Sequence, residues 1–175
     1  MGQYYTPMII TDNNEPAMFV YTHDFGCGLK LMEHSYVKNE VVRRMETALF
    51  NNPQRVVWAG DYADNEENTE TNLYQLADSS NTALKLMPFD NGEEPFNAKW
   101  LLNHDKKVAV AIPVYIKGVW QIHPLPLLTC EGNGRGGGDF RGTNPNVGAW
   151  ARDRISVSET RPADFDIHDI TFIEE

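Results

Sequence analysis

The sequence predicts an α+β fold, a mainly antiparallel sheet with one clear amphipathic helix and a long Gly-rich loop, within a single domain spanning residues 1–175. Three observations predict it. Short runs of branched and aromatic residues alternate with turn residues along most of the chain, the pattern of hairpin-linked strands. One segment, Asn39 to Phe50, carries apolar residues at clear helical spacing. Glu131 to Gly142, EGNGRGGGDFRG, holds six glycines in twelve residues and offers no packing face, so it suits a sharp turn or close approach to a ligand. With 175 residues, the chain buries roughly 70% of its unfolded surface without needing disulfides or metal.

In order along the chain, Gln3 to Ile10 and Ala17 to Thr22 are separated by TDNNE with Pro16 at the return, and read as an opening β-hairpin. His23 to Tyr36 begins with two spaced glycines and then alternates Leu29 and Leu31 with polar neighbours, which predicts a loop and a short strand or turn. In the helix, Val41, Met45, Ala48 and Leu49 share one face, Asn39 caps the start, and Asn51, Asn52 and Pro53 end it. Arg55 to Ala59, RVVWA, has the composition of a buried strand and leads to Gly60 and an acidic stretch. Leu73, Leu76 and Ala77 predict a short second helix over residues 71–78.

Lys99 to His104, Val108 to Tyr115 and Val119 to Ile122 read as three hairpin-linked strands. Pro124 and Pro126 remove ladder donors from HPLPLL, which predicts a sheet edge or an extended lead into the glycine loop. Trp150 to Val157 and Phe165 to Ile173 close the chain as strands.

Composition limits function. A net charge of -10 opposes binding to duplex nucleic acid, and no apolar run approaches the roughly 20 residues of a membrane helix. The first residues lack a secretory signal, so a cytoplasmic location is expected. Cys27 and Cys130 have neither CxxC nor CxxH spacing and read as buried free thiols. The charge is uneven: Asp61 to Glu70 holds five carboxylates and no cation, whereas Arg135, Arg141, Arg152 and Arg154 cluster in the C-terminal third and suit a local hold on a small anion.

The glycine loop lacks GxxxxGK[ST], and no helix pattern follows it, so it is neither of the common nucleotide-binding fingerprints. Arg135 and Arg141, interleaved with Gly136, Gly137, Gly138 and Asp139, suit phosphate or carboxylate: guanidinium forks and exposed amides donate, and Asp139 accepts from a hydroxyl or orients an arginine. Trp58 and Tyr62 flank a strand end that reads as a stacking platform for a base. Together these residues predict a noncatalytic protein that binds, and sequesters, a small anionic, nucleotide-like ligand. The same loop also reads as a plain surface turn or a subunit contact in a homo-oligomer.

An alternative class is a hydrolase or phosphodiester-cleaving enzyme, with His34 or His123 as general base and Glu33 or Asp61 as partner. HExxH and HxH are missing, and no metal or cofactor is expected. A third class is an acidic interaction protein whose Asp61 to Glu70 stretch docks on a basic partner and inhibits a host protein.

With MGQYYTPMII, HDFGCGLKLMEHSY, VVWAGDYAD and QIHPLPLLTCEGNGRGGGDFRG in view, the chain resembles a family of small bacteriophage and bacterial proteins that open MGQYY and carry the same HPLPLLT and glycine-loop signature. The resemblance covers most of the chain. It implies a phage or bacterial intracellular setting and transfers no catalytic residue.

Overall fold

The computed structural model describes residues 3–77, 81, 83–88, 97–116, 120–132 and 145–170. In chain order the strands are β1 (Tyr5–Ile10), β2 (Pro16–Phe19), β3 (Gln54–Gly60), β4 (Trp100–Asn103), β5 (Val108–Ala111), β6 (Val114–Ile116), β7 (Trp120–Ile122), β8 (Cys130–Glu131), β9 (Arg154–Ser158) and β10 (Asp166–Ile167). The helices are α1 (Glu40–Leu49), α2 (Leu73–Leu76) and α3 (Pro124–Thr129), with 3-10 turns at Thr22–Phe25 and Leu31–His34. Eight strands form one sheet in the order β10-β5-β4-β9-β3-β1-β2, with β8 added beside β3. Most pairings are antiparallel; β10 with β5 and β8 with β3 are parallel, so the fold is α+β with a mixed sheet.

The opening hairpin is present, with β1 also paired to β3 along its length, Tyr5 opposite Gly60 and Ile10 opposite Arg55. Asn39 caps α1 by accepting from the Val41 N–H at 2.9 Å. Val41, Val42, Met45 and Leu49 are fully buried against the sheet, each stabilising the fold by about 1.5–3 kcal/mol relative to exposure. Alternation along the strands divides the interior. Tyr5, Ile9, Val56 and Trp58 face the larger core under α1. Met8, Ile10, Val57 and Ala59 face a smaller one that Phe19 joins and Leu73 of α2 covers.

His23 to Tyr36 forms turns, one of the two outcomes expected there: the spaced glycines and short apolar runs close two 3-10 turns, and Gly26 ends the first at φ 68°. Three expectations change. The Val108 to Tyr115 run is divided at Pro113, whose missing N–H ends β5, and β6 pairs with β7 in a separate two-stranded sheet. HPLPLL is helix α3, not an edge strand. Both prolines fall in its first turn, where backbone N–H groups have no intrahelical partner, and His123 caps it by accepting from the Leu125 N–H at 3.1 Å. At the C-terminal end Trp150 lies in a turn before β9, and among the described residues of the Phe165 to Ile173 run β10 covers Asp166 and Ile167, residues 171–173 lying outside the described ones.

Candidate functional site

Arg135, Gly136, Gly137, Gly138, Asp139 and Arg141 lie outside the described residues, which on this loop are Glu131 and Gly132. The start of the loop is nevertheless fixed by the sheet. One edge of β3 is shared by two strands: β9 pairs with it at Gln54 and Arg55, and β8 at Trp58 and Ala59. Between them the Arg152 N–H donates to the Val56 carbonyl at 2.8 Å, and the Val56 N–H donates to the Asp153 carbonyl at 3.2 Å. The sheet edge therefore parts at Arg152. Two glycines permit the close approach: a Cβ on Gly60 would lie 2.3 Å from the Glu131 carbonyl oxygen, and one on Gly148, at φ 76°, 2.7 Å from that of Cys130.

Arg152 stands at this junction with φ 69°. Its Nη1 and Nη2 donate to both Glu66 oxygens at 3.0 and 2.5 Å, and its Nε and Nη2 donate to both Glu131 oxygens at 2.7 and 3.0 Å. Burial by itself would lower the guanidinium pKa, but the hydrogen bonds and charges of Glu66 and Glu131 outweigh it and raise the pKa further. The fork-to-carboxylate geometry on both sides ties the acidic loop to β8. Asn72, the cap of α2, holds the other end of that loop by donating to the carbonyls of Asp61 and Ala63 at 3.1 and 3.0 Å.

A cleft of about 380 Å³ opens around Arg152, lined by Asn14, Asp64, Glu66, Glu67, Glu131 and Gly132 among others. Four carboxylates and one guanidinium thus line it. Asn14, at φ 60° in the β1–β2 turn, keeps a buried amide oxygen without a hydrogen-bond partner. Arg152 is thus committed to two carboxylates, and Arg154 donates to Asp12 at 2.5 Å. These two members of the arginine cluster are held by acids rather than set out for an anion, which corrects the expectation from sequence. Within the acidic stretch Asp61 and Glu66 are half-buried, while Asp64, Glu67 and Glu70 are exposed to solvent.

The predicted acid–base pairs do not form. His34 is fully buried and its Nδ1 accepts the Trp58 indole N–H at 2.8 Å, the two rings meeting edge to edge with centroids 6.1 Å apart. Burial pushes its pKa down to about 4, with the Leu29 carbonyl acting in the opposite direction; its Nε2 makes no hydrogen bond. Glu33, next to it in sequence, is exposed and turns back to accept from the Lys30 N–H at 3.0 Å. His123 is also buried, and its partner is Glu46 of α1, with Nε2 to Oε1 at 2.6 Å. Because Nδ1 accepts from the Leu125 N–H, Nε2 carries the proton and donates to Glu46. Asp61 accepts from the Tyr4 N–H at 3.0 Å, far from this chemistry in role.

Trp58 is fully buried beneath α1's core, so it offers no face to a base; Tyr62 is 44% exposed in the turn after β3. The two do not make a joint platform, since Trp58 lies within β3 in the interior while Tyr62 lies beyond the strand's end at Gly60, out in solvent. Cys130 is buried and Cys27 half-buried, both as free thiols. Among the described residues no three His, Cys, Asp or Glu side chains come together as a metal site, and no helix is long and apolar enough to cross a membrane. Sequence reasoning missed Glu46, Glu66 and Glu131 as partners; each meets its counterpart across a long stretch of chain. No family model, curated protein or solved structure matches the chain.

Proposed function

We propose that this chain is a noncatalytic binding protein whose cleft at the β3–β8–β9 junction takes a cationic group from a basic protein segment. The observation that carries the reading is the charge balance around Arg152: its guanidinium is engaged by Glu66 and Glu131, while Asp64 and Glu67 line the same cleft and stay exposed. Carboxylates suit an ammonium or guanidinium and disfavour a phosphate. Binding rather than turnover is supported by His34 and His123, both buried and both engaged in interior hydrogen bonds.

The test is titration of a fluorescent lysine- and arginine-rich peptide into the protein at 50 and 300 mM salt. Wild-type binding that weakens with salt, and falls at least tenfold in Asp64→Asn/Glu67→Gln, supports the reading. Salt-independent binding, or none, would overturn it.

A second reading, capture of a small anionic, nucleotide-like ligand that sequesters a host signal in a phage or bacterial setting, is favoured by one observation. Gly132, the first glycine of the loop, lines the cleft, and Arg135 and Arg141 follow it by three and nine positions in sequence. Native mass spectrometry of protein taken from a nucleotide-rich lysate separates the two. A nucleotide retained by wild type and lost in Arg135→Ala/Arg141→Ala selects the anion reading.

A further inference from the structure

The acidic loop that lines the cleft begins at Asp61, on the opposite face of the sheet from α1, where the smaller core meets solvent. Tyr4 and Asp61 extend the β1–β3 pairing by one step: the Asp61 N–H donates to the Tyr4 carbonyl at 2.9 Å, and the Tyr4 N–H to the Asp61 carboxylate at 3.0 Å. Alternation past Tyr5 and Gly60 puts both side chains on the face of Met8, Val57 and Ala59. Tyr21 and Tyr74 pack half-buried against that same small core. Burial raises the Tyr74 hydroxyl pKa, and the charges of Asp61, Tyr21 and Tyr4 add to it.

Tyr4, Tyr21 and Tyr74 thus share one face of the sheet with Asp61, Tyr4 being 43% exposed. Tyrosine is rigid and amphipathic, and it is enriched in interface hot spots for that reason. A ring face also attracts a cation, most favourably a planar guanidinium. Tyr21 already holds such a cation, the Lys85 ammonium lying 5.7 Å from its ring centroid while pairing with Asp24 at 3.0 Å, so Tyr4 and Tyr74 are the rings left to an incoming guanidinium. Charge complementarity fixes the occupant. Asp61 is followed along the same loop by Asp64, Glu66, Glu67 and Glu70, in a chain of net charge -10.

We propose that Tyr4, Tyr74 and Asp61 form a docking surface for an arginine side chain of the basic partner, the guanidinium stacking on tyrosine and pairing with Asp61. This rests on the reading of the neighbouring cleft as a site for a cationic group, and makes the partner an arginine-bearing segment that contacts both ends of the loop.

The experiment uses fluorescein-labelled nona-arginine and nona-lysine against the full chain and two sets of variants. Tyr4→Ser and Asp61→Asn alter the patch, the latter keeping an acceptor for the Tyr4 N–H; Asp64→Asn/Glu67→Gln alters the cleft. The expected result is tighter binding of nona-arginine than of nona-lysine by wild type, a threefold to tenfold loss for nona-arginine in each patch variant, and loss of the arginine preference in Tyr4→Ser. Amide NMR signals of Tyr4, Asp61 and Tyr74 in the wild-type protein should shift on adding nona-arginine, a readout that needs no variant to fold. Loss of binding in the cleft variant with the patch variants and these signals unchanged overturns this proposal and keeps the cleft. Loss in the patch variants alone, with the signals shifted, keeps the patch and overturns the cleft. No binding of either peptide by wild type overturns both.

Discussion

His34 Nδ1 accepts the indole N–H of Trp58 at 2.8 Å, and both side chains are fully buried. The bond joins the second 3-10 turn to the middle of β3 and fixes the tautomer of the imidazole, with the proton on Nε2. Trp58→Phe removes the donor and leaves both a void and an unsatisfied ring nitrogen. The expected cost is about 2–4 kcal/mol, read as a lower urea midpoint with unchanged slope.

The same burial sets a pH dependence. In the folded protein the His34 pKa is pushed down to about 4 from its ordinary 6.5 by burial. Between these values the unfolded chain binds a proton at this residue that the folded one does not, so unfolding free energy rises with pH across the window. The contribution is fully present above about pH 6.5 and lost as pH falls toward 4, amounting to about 3 kcal/mol. Urea melts of wild type and His34→Gln at pH 4, 5, 6 and 7 check it. Wild type should lose about that much more stability than the variant over the window, and the His34 ring signals should not titrate between pH 5 and 7 in the folded protein.

What the sequence reveals and what it hides divide along one physical line. Asn39, Val41, Met45 and Leu49 lie within one helix and interact at separations a periodic pattern displays, so α1 and its cap are legible. The hairpin of β1 and β2 is legible for the same reason. HPLPLL misleads because two prolines are equally at home at a sheet edge and in the first turn of a helix, and the decision rests on the His123 ring reaching the Leu125 N–H. The cleft is hidden further. Arg152 meets Glu131 from 21 residues away and Glu66 from 86, and no local signal distinguishes these glutamates from solvated ones. His123 and Glu46 are 77 residues apart, which is why sequence offers His123 the wrong carboxylates.

His123 joins α3 to α1 through its bond to Glu46 while capping α3 with its other nitrogen. His123→Ala removes the cap and strands Glu46 in the interior, so the expected loss is about 3–5 kcal/mol. Glu46→Gln keeps an oxygen that accepts from Nε2 and should cost about 1 kcal/mol or less. Chemical denaturation of the two variants gives the ordering. Equal effects would mean that the hydrogen bond itself contributes little.

Gly148 is required twice, by its φ of 76° and by the Cys130 carbonyl 2.7 Å from where a Cβ would stand. Its own N–H donates to Leu127 at 2.8 Å, so it cannot drift outward without breaking the link to α3. Gly148→Ala should therefore cost about 2–4 kcal/mol. Hydrogen exchange should show protection lost first at Trp150 and Arg152, whose N–H groups bond to Leu128 and Val56 in the same turn.

Arg152 itself carries two separable contributions, its guanidinium and its left-handed backbone. Arg152→Ala leaves Glu66 and Glu131 facing each other in a partly screened cleft and places a Cβ at φ 69° with no compensating bond. Arg152→Gly removes the same guanidinium but adopts that φ without strain. Both variants should be destabilised, by about 1–3 kcal/mol for the lost bridge, with alanine worse than glycine by about 1 kcal/mol. Arg152→Lys supplies a charge without the fork, and should recover only part of the loss because one ammonium cannot reach four carboxylate oxygens in two directions. Thermal melts at pH 7 rank the series as arginine, lysine, glycine, alanine. The two uncharged variants should also converge toward wild type as pH falls and the two glutamates take up protons, since the repulsion that the guanidinium offsets then disappears. A gap between arginine and the two uncharged variants that persisted unchanged at pH 4 would mean that pairing with the two glutamate charges is not what Arg152 contributes, and would leave the cleft without its electrostatic anchor.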